Sequence, residues 1–145
     1  MNIKKWLLFY LMFFSLTLLA ACEEQGPSEM QVEKIGTQYF EAIKNKNFDQ
    51  AVNLYAEEIF ATRSRDQWHA DLETNAKTMG DLQRYELKNA QSDTRFSGKF
   101  YILEYKTFYT KDIAWEILTM VNPVNSNEIK LLGHKIKARR LKNDN

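Results

Sequence analysis

Apolar residues between positions 29 and 80 recur at intervals of three and four, the spacing of one face of an α-helix. A first stripe covers 29–45, a second runs from residue 48 to Phe60, and a third occupies 65–79. Asn47 and Ser64 are each followed three residues later by a glutamine, an arrangement that caps the start of a helix. Gly80 suits the left-handed conformation that ends many helices. The pattern predicts three helices.

After Gly80 the period changes to two, which indicates β-strands. The first strand passes through Tyr85, and three more are predicted over 99–110, 113–122 and 128–141. Turn residues lie between them at Lys111-Asp112 and over Pro123–Asn127. Helices followed by an antiparallel meander are typical of an α+β domain. We therefore expect three N-terminal helices packed on a curved antiparallel sheet of about four strands.

Alternation assigns one group of strand residues to the inner face of the sheet, namely Tyr101, Tyr105, Trp115, Ile117 and His134. Leu132 and Ile136 share the parity of His134 on the last strand. These side chains form a candidate pocket for a small apolar ligand, with His134 as its polar contact. Under the alternative interpretation, the aromatic rings simply fill the core against the first helix.

A second group is assigned outward although it is apolar: Phe100, Ile102, Leu118 and Met120. An exposed apolar patch usually marks a binding surface. The simplest occupant is a second copy of the chain, because a two-fold axis lets one patch bury itself. An envelope protein is the other candidate partner, and cover by a helix, the N-terminal segment or strand twist within one chain is the alternative to both.

Motifs for chemistry are few. Acid–base catalysis in the interior would need a carboxylate beside His134, and parity places Glu104 and Glu116 on the opposite face. His69 and His134 show no metal-ligand spacing, and the five glycines form no phosphate-binding loop. We therefore predict no catalytic residues, no metal and no cofactor.

The N-terminus has the organisation of a secretory signal peptide. Lys4 and Lys5 precede an almost wholly apolar run, and Ala20 and Ala21 lead into Cys22, the single cysteine. The run over 6–21 has 16 residues, fewer than the ~20 that a membrane-spanning helix needs. An uncleaved, tilted anchor is the alternative.

Leu19-Ala20-Ala21-Cys22 resembles the lipobox of bacterial lipoproteins. The resemblance implies cleavage after Ala21, a diacylglyceryl group on the Cys22 thiol and acylation of its new amino group. Two or three acyl chains, palmitate among them, would anchor the chain stably. Residues 1–21 would be the signal peptide, 22–28 the lipidated cysteine and tether, and 29–145 the domain.

The order of elements resembles the nuclear transport factor two-like (cystatin-like) domain, as found in small bacterial lipoproteins. Local phrases that carry the resemblance are Tyr39-Phe40, Trp68, Met79-Gly80 and Leu132-Gly133-His134. The resemblance implies a cone in which a curved sheet wraps a helix. Enzymes, binding modules and interaction domains share that fold, so the likeness fixes no function.

Charge narrows the choice of partners. Without residues 1–21 the chain carries 18 basic and 19 acidic residues, which argues against nucleic acid. The basic end of the chain could meet anionic headgroups or an acidic partner, or be the solvated side of an edge strand. It comprises Lys135, Lys137, Arg139, Arg140 and Lys142.

We predict a lipid-anchored, periplasm-facing protein of the cell envelope whose domain binds or interacts without catalysis. Glu23 follows Cys22, where an aspartate would resemble an inner-membrane retention signal, so an outer-membrane location is favoured in a Gram-negative host. The alternatives are an enzyme or small-ligand carrier that uses the interior of the cone, and a structural envelope component.

Overall fold

The computed structural model of the chain describes residues 29–139. Three α-helices come first: α1 over Glu29–Lys44, α2 over Phe48–Val52 and α3 over Arg65–Met79. Four strands follow: β1 over Leu82–Arg95, β2 over Gly98–Tyr109, β3 over Ile113–Pro123 and β4 over Lys130–Arg139. The strands form one antiparallel sheet in the order β1-β2-β3-β4. The predicted α+β class, with helices preceding the sheet, is confirmed.

Several predictions concern residues outside the described range. They are the signal peptide 1–21, the lipidated Cys22 with the tether to Ser28, and the basic residues Arg140 and Lys142. Within the described range, Lys135 and Lys137 are exposed.

The predicted helix caps are present. The Asn47 side chain accepts a hydrogen bond from the backbone N–H of Gln50 at 3.2 Å. Ser64 and Gln67 bond reciprocally, each side chain to the other's backbone N–H, and so form a complete capping box at the start of α3. Gly80 ends α3 with a φ of 86°, a conformation that L-residues with side chains rarely adopt.

The second helix is shorter than predicted. It ends at Val52, and a separate 3₁₀ turn covers Glu57–Ala61. Between them the backbone pairs with β4: the Ala56 N–H donates to the Leu131 carbonyl at 2.8 Å, and the Leu131 N–H donates to the Leu54 carbonyl at 2.9 Å. Because these backbone groups bond to the sheet, they cannot continue the helical ladder.

The two faces of β3 are the reverse of the prediction: its even-numbered residues point into the core. Tyr105 pairs with Glu116, and Leu103 pairs with Leu118. Directly paired residues of an antiparallel ladder project to the same face, so the even positions of β3 join the odd positions of β2. The buried residues of β3 accordingly include Ala114, Glu116, Leu118 and Met120.

A β-bulge in β4 changes the face predicted for Leu132. Gly133 pairs with Thr119 and Leu131 pairs with Met120, which leaves Leu132 as the extra residue. Leu131 is therefore fully buried, and Leu132, predicted to face inward, is half-buried.

Gly36 of α1 packs directly against Tyr105 of β2. A Cβ atom at this position would lie 2.1 Å from the Tyr105 hydroxyl oxygen and 3.1 Å from its Cζ. We expect Gly36→Ala to cost about 1–3 kcal/mol of the free energy of unfolding, because overpacking outweighs the better helix propensity of alanine. Urea denaturation measures this cost.

As a control, Gly36→Ala is also made in a Tyr105→Phe variant, which lacks the hydroxyl closest to the new methyl group. There the same substitution should cost less. An equal loss of stability in both backgrounds would show that Tyr105 is not what limits this position.

Candidate functional site

A group of acid–base and hydroxyl side chains lies on the inner face of the sheet around Glu116, which is 1% exposed. Its Oε1 accepts a hydrogen bond from the Tyr109 hydroxyl at 2.6 Å and lies 2.7 Å from the Thr107 hydroxyl. Its Oε2 lies 2.7 Å from Nε2 of His134. The Thr107 hydroxyl also lies 3.2 Å from the Ala114 carbonyl.

His134 links Glu116 to the first helix. Its Nδ1 lies 2.8 Å from the Tyr39 hydroxyl, and the two rings meet edge to face with centroids 5.2 Å apart. Because an ionised carboxylate only accepts hydrogen bonds, Nε2 of the imidazole is the atom that donates to Glu116. In the neutral ring Nδ1 then accepts from Tyr39. We refer to Tyr39, Thr107, Tyr109, Glu116 and His134 as the polar cluster.

The fold positions the polar cluster through strand pairing. Thr107 pairs with Ala114 across β2 and β3, so its hydroxyl lies on the same face as Glu116, two residues farther along β3. His134 pairs with Leu118 across β3 and β4, which puts it on that face as well. Tyr39 reaches the cluster from the buried side of α1 and is fully buried. Three strands and one helix therefore converge on Glu116.

The ionisation of Glu116 reflects opposing effects. Burial alone would raise the pKa of this carboxyl group, but the hydrogen bond and the charge interaction with His134, with further hydrogen bonds from Tyr109 and Thr107, lower the pKa below its usual value of 4.5. A carboxylate stabilised in this way is a weak proton acceptor. The cluster has the residue types of an acid–base site but holds Glu116 in its ionised form.

The presence of Glu116 on the inner face corrects the sequence-based placement of that residue on the outer face. A signal for it exists in the sequence: Glu116 shares its parity with Ala114, Leu118 and Met120, and is the one charged residue in that buried series. Sequence reasoning also missed Tyr39 and Thr107 as members of this site, whereas Tyr109 was among the tyrosines expected to reach the inner face beside His134.

The candidate pocket residues do not all lie together. Tyr101, Tyr105 and His134 are on the inner face, whereas Trp115 is half-buried on the outer face because its neighbours Ala114 and Glu116 point inward. Ile117 lies on that outer face too and is half-buried.

The interior around Tyr105 is filled by packed rings. The centroid of the Tyr105 ring lies 4.6 Å from that of the Phe40 ring. Tyr101 instead lines, with Leu103 and the first turn of α1, a small groove of about 90 Å³ between the helix and β1. The residues predicted as one pocket are therefore divided between the packed core, this groove and the outer face.

The predicted apolar patch is divided as well. Leu118 and Met120 are fully buried in the core, which contradicts their outward assignment. Phe100 and Ile102 remain on the outer face, where the Arg95 guanidinium lies 5.0 Å from the centre of the Phe100 ring. At the opposite end of β2, the Arg84 guanidinium lies 3.4 Å from the centre of the Phe108 ring. Cationic side chains thus cover aromatic rings that the sequence pattern leaves exposed.

Alkaline pH should unfold the domain through its tyrosines. Burial raises the pKa of Tyr85 to about 12, with further increases from the hydrogen bond and charge of Glu41. Burial is the largest cause of a raised pKa at four more tyrosines: Tyr39, Tyr55, Tyr105 and Tyr109. Because these groups ionise more readily in the unfolded chain, their contribution to stability is intact below about pH 10 and is lost as the pH rises further.

We therefore expect tyrosinate absorbance to appear together with the loss of folded circular dichroism as the pH is raised. Titration of most tyrosines near pH 10 with the folded spectrum intact would contradict this burial.

No helix within residues 29–139 is long and apolar enough to cross a membrane. Over the same part of the chain, no group of three or more histidine, cysteine, aspartate or glutamate side chains is arranged to hold a metal ion.

Comparison with known proteins adds evidence on the fold. No protein-family model matches the sequence, and no curated protein matches it. The structure is similar to that of Bd1075 from Bdellovibrio bacteriovorus, with a TM-score of 0.53 and 8% sequence identity. The similarity covers 78% of this chain and 41% of that protein, so the chain spans less than half its length. At this identity the likeness shows a shared fold alone.

Proposed function

We propose that the chain is a lipid-anchored protein of the cell envelope whose domain binds and does not catalyse. The anchor is supported by the sequence that ends in Leu19-Ala20-Ala21-Cys22. The non-catalytic role is supported by one observation above all: the acid–base groups of the polar cluster are bonded to one another and buried.

The hydrogen bonds of the cluster leave its reactive atoms occupied. Both oxygens of Glu116 have protein partners, and so do both ring nitrogens of His134. The side chain of His134 is 5% exposed. A substrate would have to displace Tyr39 or Tyr109 before it could reach either residue. A buried polar network with every member bonded rigidifies a core, which is the role we assign to it.

The anchor is tested by expressing the full chain in a bacterial host and measuring the intact mass of the membrane-associated protein. We expect loss of Met1–Ala21 and added mass from two or three acyl chains. Cys22→Ser should abolish both changes. In the matched control Cys22→Ser/Ser28→Cys, a thiol is restored six residues away and processing should still fail. A wild-type protein that keeps Met1–Ala21 and carries no acyl mass would refute the anchor.

An enzyme is the second candidate, and one observation favours it: a histidine and a carboxylate lie 2.7 Å apart on the inner face, with two tyrosine hydroxyls beside them. General acid–base catalysis uses these residue types. This function requires α1 to separate from the sheet, because Tyr39 covers His134. The accessibility of His134 in solution therefore distinguishes the two candidates.

A further inference from the structure

We propose that one end of the domain rests on the bilayer surface, with Met30, Phe96 and Val124 in contact with lipid. We call these three residues the apolar tip. The proposal rests on the proposed lipid anchor and extends it from a point of attachment to a defined orientation of the domain.

The apolar tip contains three apolar side chains that are mostly exposed. Phe96, in the turn between β1 and β2, is fully exposed. Met30 in the first turn of α1 is 80% exposed, and Val124 after β3 is 56% exposed. Ile102, at 44%, is also exposed, but it lies on the outer face of β2, opposite Gln91 of β1, whereas α1 packs on the inner face. Exposed aromatic and thioether side chains gain favourable contacts when they enter a lipid interface.

Hydrogen bonding and packing place the three residues at the same end of the sheet. The Val124 N–H donates to the carbonyl of Ser97, the neighbour of Phe96, at 3.3 Å. Glu29, the neighbour of Met30, lines a groove with Ser92 of β1. Phe96 is four residues beyond Ser92, about 13 Å along an extended strand. The first turn of α1 and the β1–β2 turn therefore lie at one end.

Chain length brings this end to the membrane. The seven residues from Cys22 to Ser28 span at most about 25 Å. They join the domain at Glu29, beside the apolar tip. The 12 residues of β2 extend about 40 Å, and Lys111 lies beyond their far end. A lipid on Cys22 can therefore bring the apolar tip to the bilayer, whereas Lys111 lies at the opposite end.

Charges near the apolar tip indicate which force holds it there. Arg95 pairs with Asp93 at 2.7 Å, and Lys130 pairs with Glu128 at 3.3 Å. Because these two cations already have carboxylate partners, they add little attraction for anionic lipid. Lys99 is a further cation at this end, and its ammonium lies 5.8 Å from the centre of the Tyr101 ring. We therefore expect contact through apolar insertion, with a weak dependence on salt and on the fraction of anionic lipid.

The test places a tryptophan at each end of the domain. Phe96→Trp reports on the apolar tip, and Lys111→Trp, at the turn between β2 and β3, is the matched control. Each protein is expressed as the full chain, purified after processing by the host, and reconstituted into phosphatidylethanolamine–phosphatidylglycerol vesicles with or without brominated acyl chains. Bromine quenches an indole that enters the acyl region, and Trp68 and Trp115 are common to both variants.

We expect brominated lipid to quench the added fluorescence of Phe96→Trp at least about twofold, and that of Lys111→Trp hardly at all. Equal quenching of the two acylated proteins would overturn the proposed orientation. So would a blue-shifted Phe96→Trp emission that bromine leaves unchanged, since the tip would then be covered by a second copy or another protein.

Measuring the intact mass of the same samples distinguishes a failure of the lipid anchor from a failure of the lipid contact. A chain without acyl mass refutes the anchor, and vesicles added to that unacylated chain then test the apolar tip directly. Bromine quenching of the unacylated Phe96→Trp protein would support lipid contact without an anchor. Its absence would overturn the contact.

Discussion

The variant His134→Leu is expected to lose about 3–5 kcal/mol of the free energy of unfolding, because it leaves the Glu116 carboxylate buried without its imidazole partner. Urea denaturation provides the measurement, with a lower midpoint and an unchanged dependence on denaturant. A loss below about 1 kcal/mol would mean that His134 contributes little to the polar cluster.

The double variant Glu116→Leu/His134→Leu is the control for this pair. It removes the charge and its partner together, so its cost should be smaller than the sum of the two single costs by at least about 1 kcal/mol. Simple additivity would show that the two side chains do not interact in solution.

The same pair predicts how stability depends on acid. The pKa of Glu116 is lowered in the folded protein, so the unfolded chain takes up a proton first as the pH falls through 4.5. The contribution of Glu116 is therefore complete above that pH and is lost as the pH approaches the folded pKa. The variant Glu116→Gln should lose this part of the acid dependence. An unchanged pH profile in Glu116→Gln would assign the dependence to other carboxylates.

The second large effect is expected at Phe40, which is fully buried between α1 and the sheet. Its ring centroid lies 5.3 Å from that of Tyr39, 5.0 Å from Tyr85 and 4.6 Å from Tyr105. Phe40→Ala should cost about 3–5 kcal/mol, since it removes these contacts and leaves a cavity.

Phe96→Ala is the matched control for Phe40→Ala, because it removes the same side chain from a fully exposed position. Its effect on stability should lie within about 0.5 kcal/mol. Similar costs for the two variants would contradict the placement of α1 against the sheet.

Local patterns in the sequence were sufficient to predict most of the elements. The glutamine-containing caps at Asn47 and Ser64 mark real helix starts, and Gly80 marks a real end. The second helix was predicted too long because its stripe continues through Tyr55, where the backbone instead pairs with Leu131. That pairing joins residues 76 positions apart, so no local pattern reveals it.

The polar cluster was harder to predict than the fold. Parity within β4 placed His134 correctly on the inner face, but the inner face of β3 was assigned one residue out of step. Strand pairing, not the pattern within one strand, decides which face a residue takes. A shift of one residue therefore moves every side chain of the strand to the opposite face. Glu116 was therefore assigned outward, and the partner on α1, Tyr39, lies 95 residues from His134.

The accessibility of His134 tests most directly the claim that the acid–base groups are closed to substrates. The imidazole reagent diethylpyrocarbonate can be applied to the folded protein, with His69, whose side chain is 35% exposed against 5% for His134, as the internal control. We expect His69 to react at least about tenfold faster, because His134 is reached only when the structure opens. Similar rates at the two histidines in the folded protein would contradict the account and favour a cluster open to substrate.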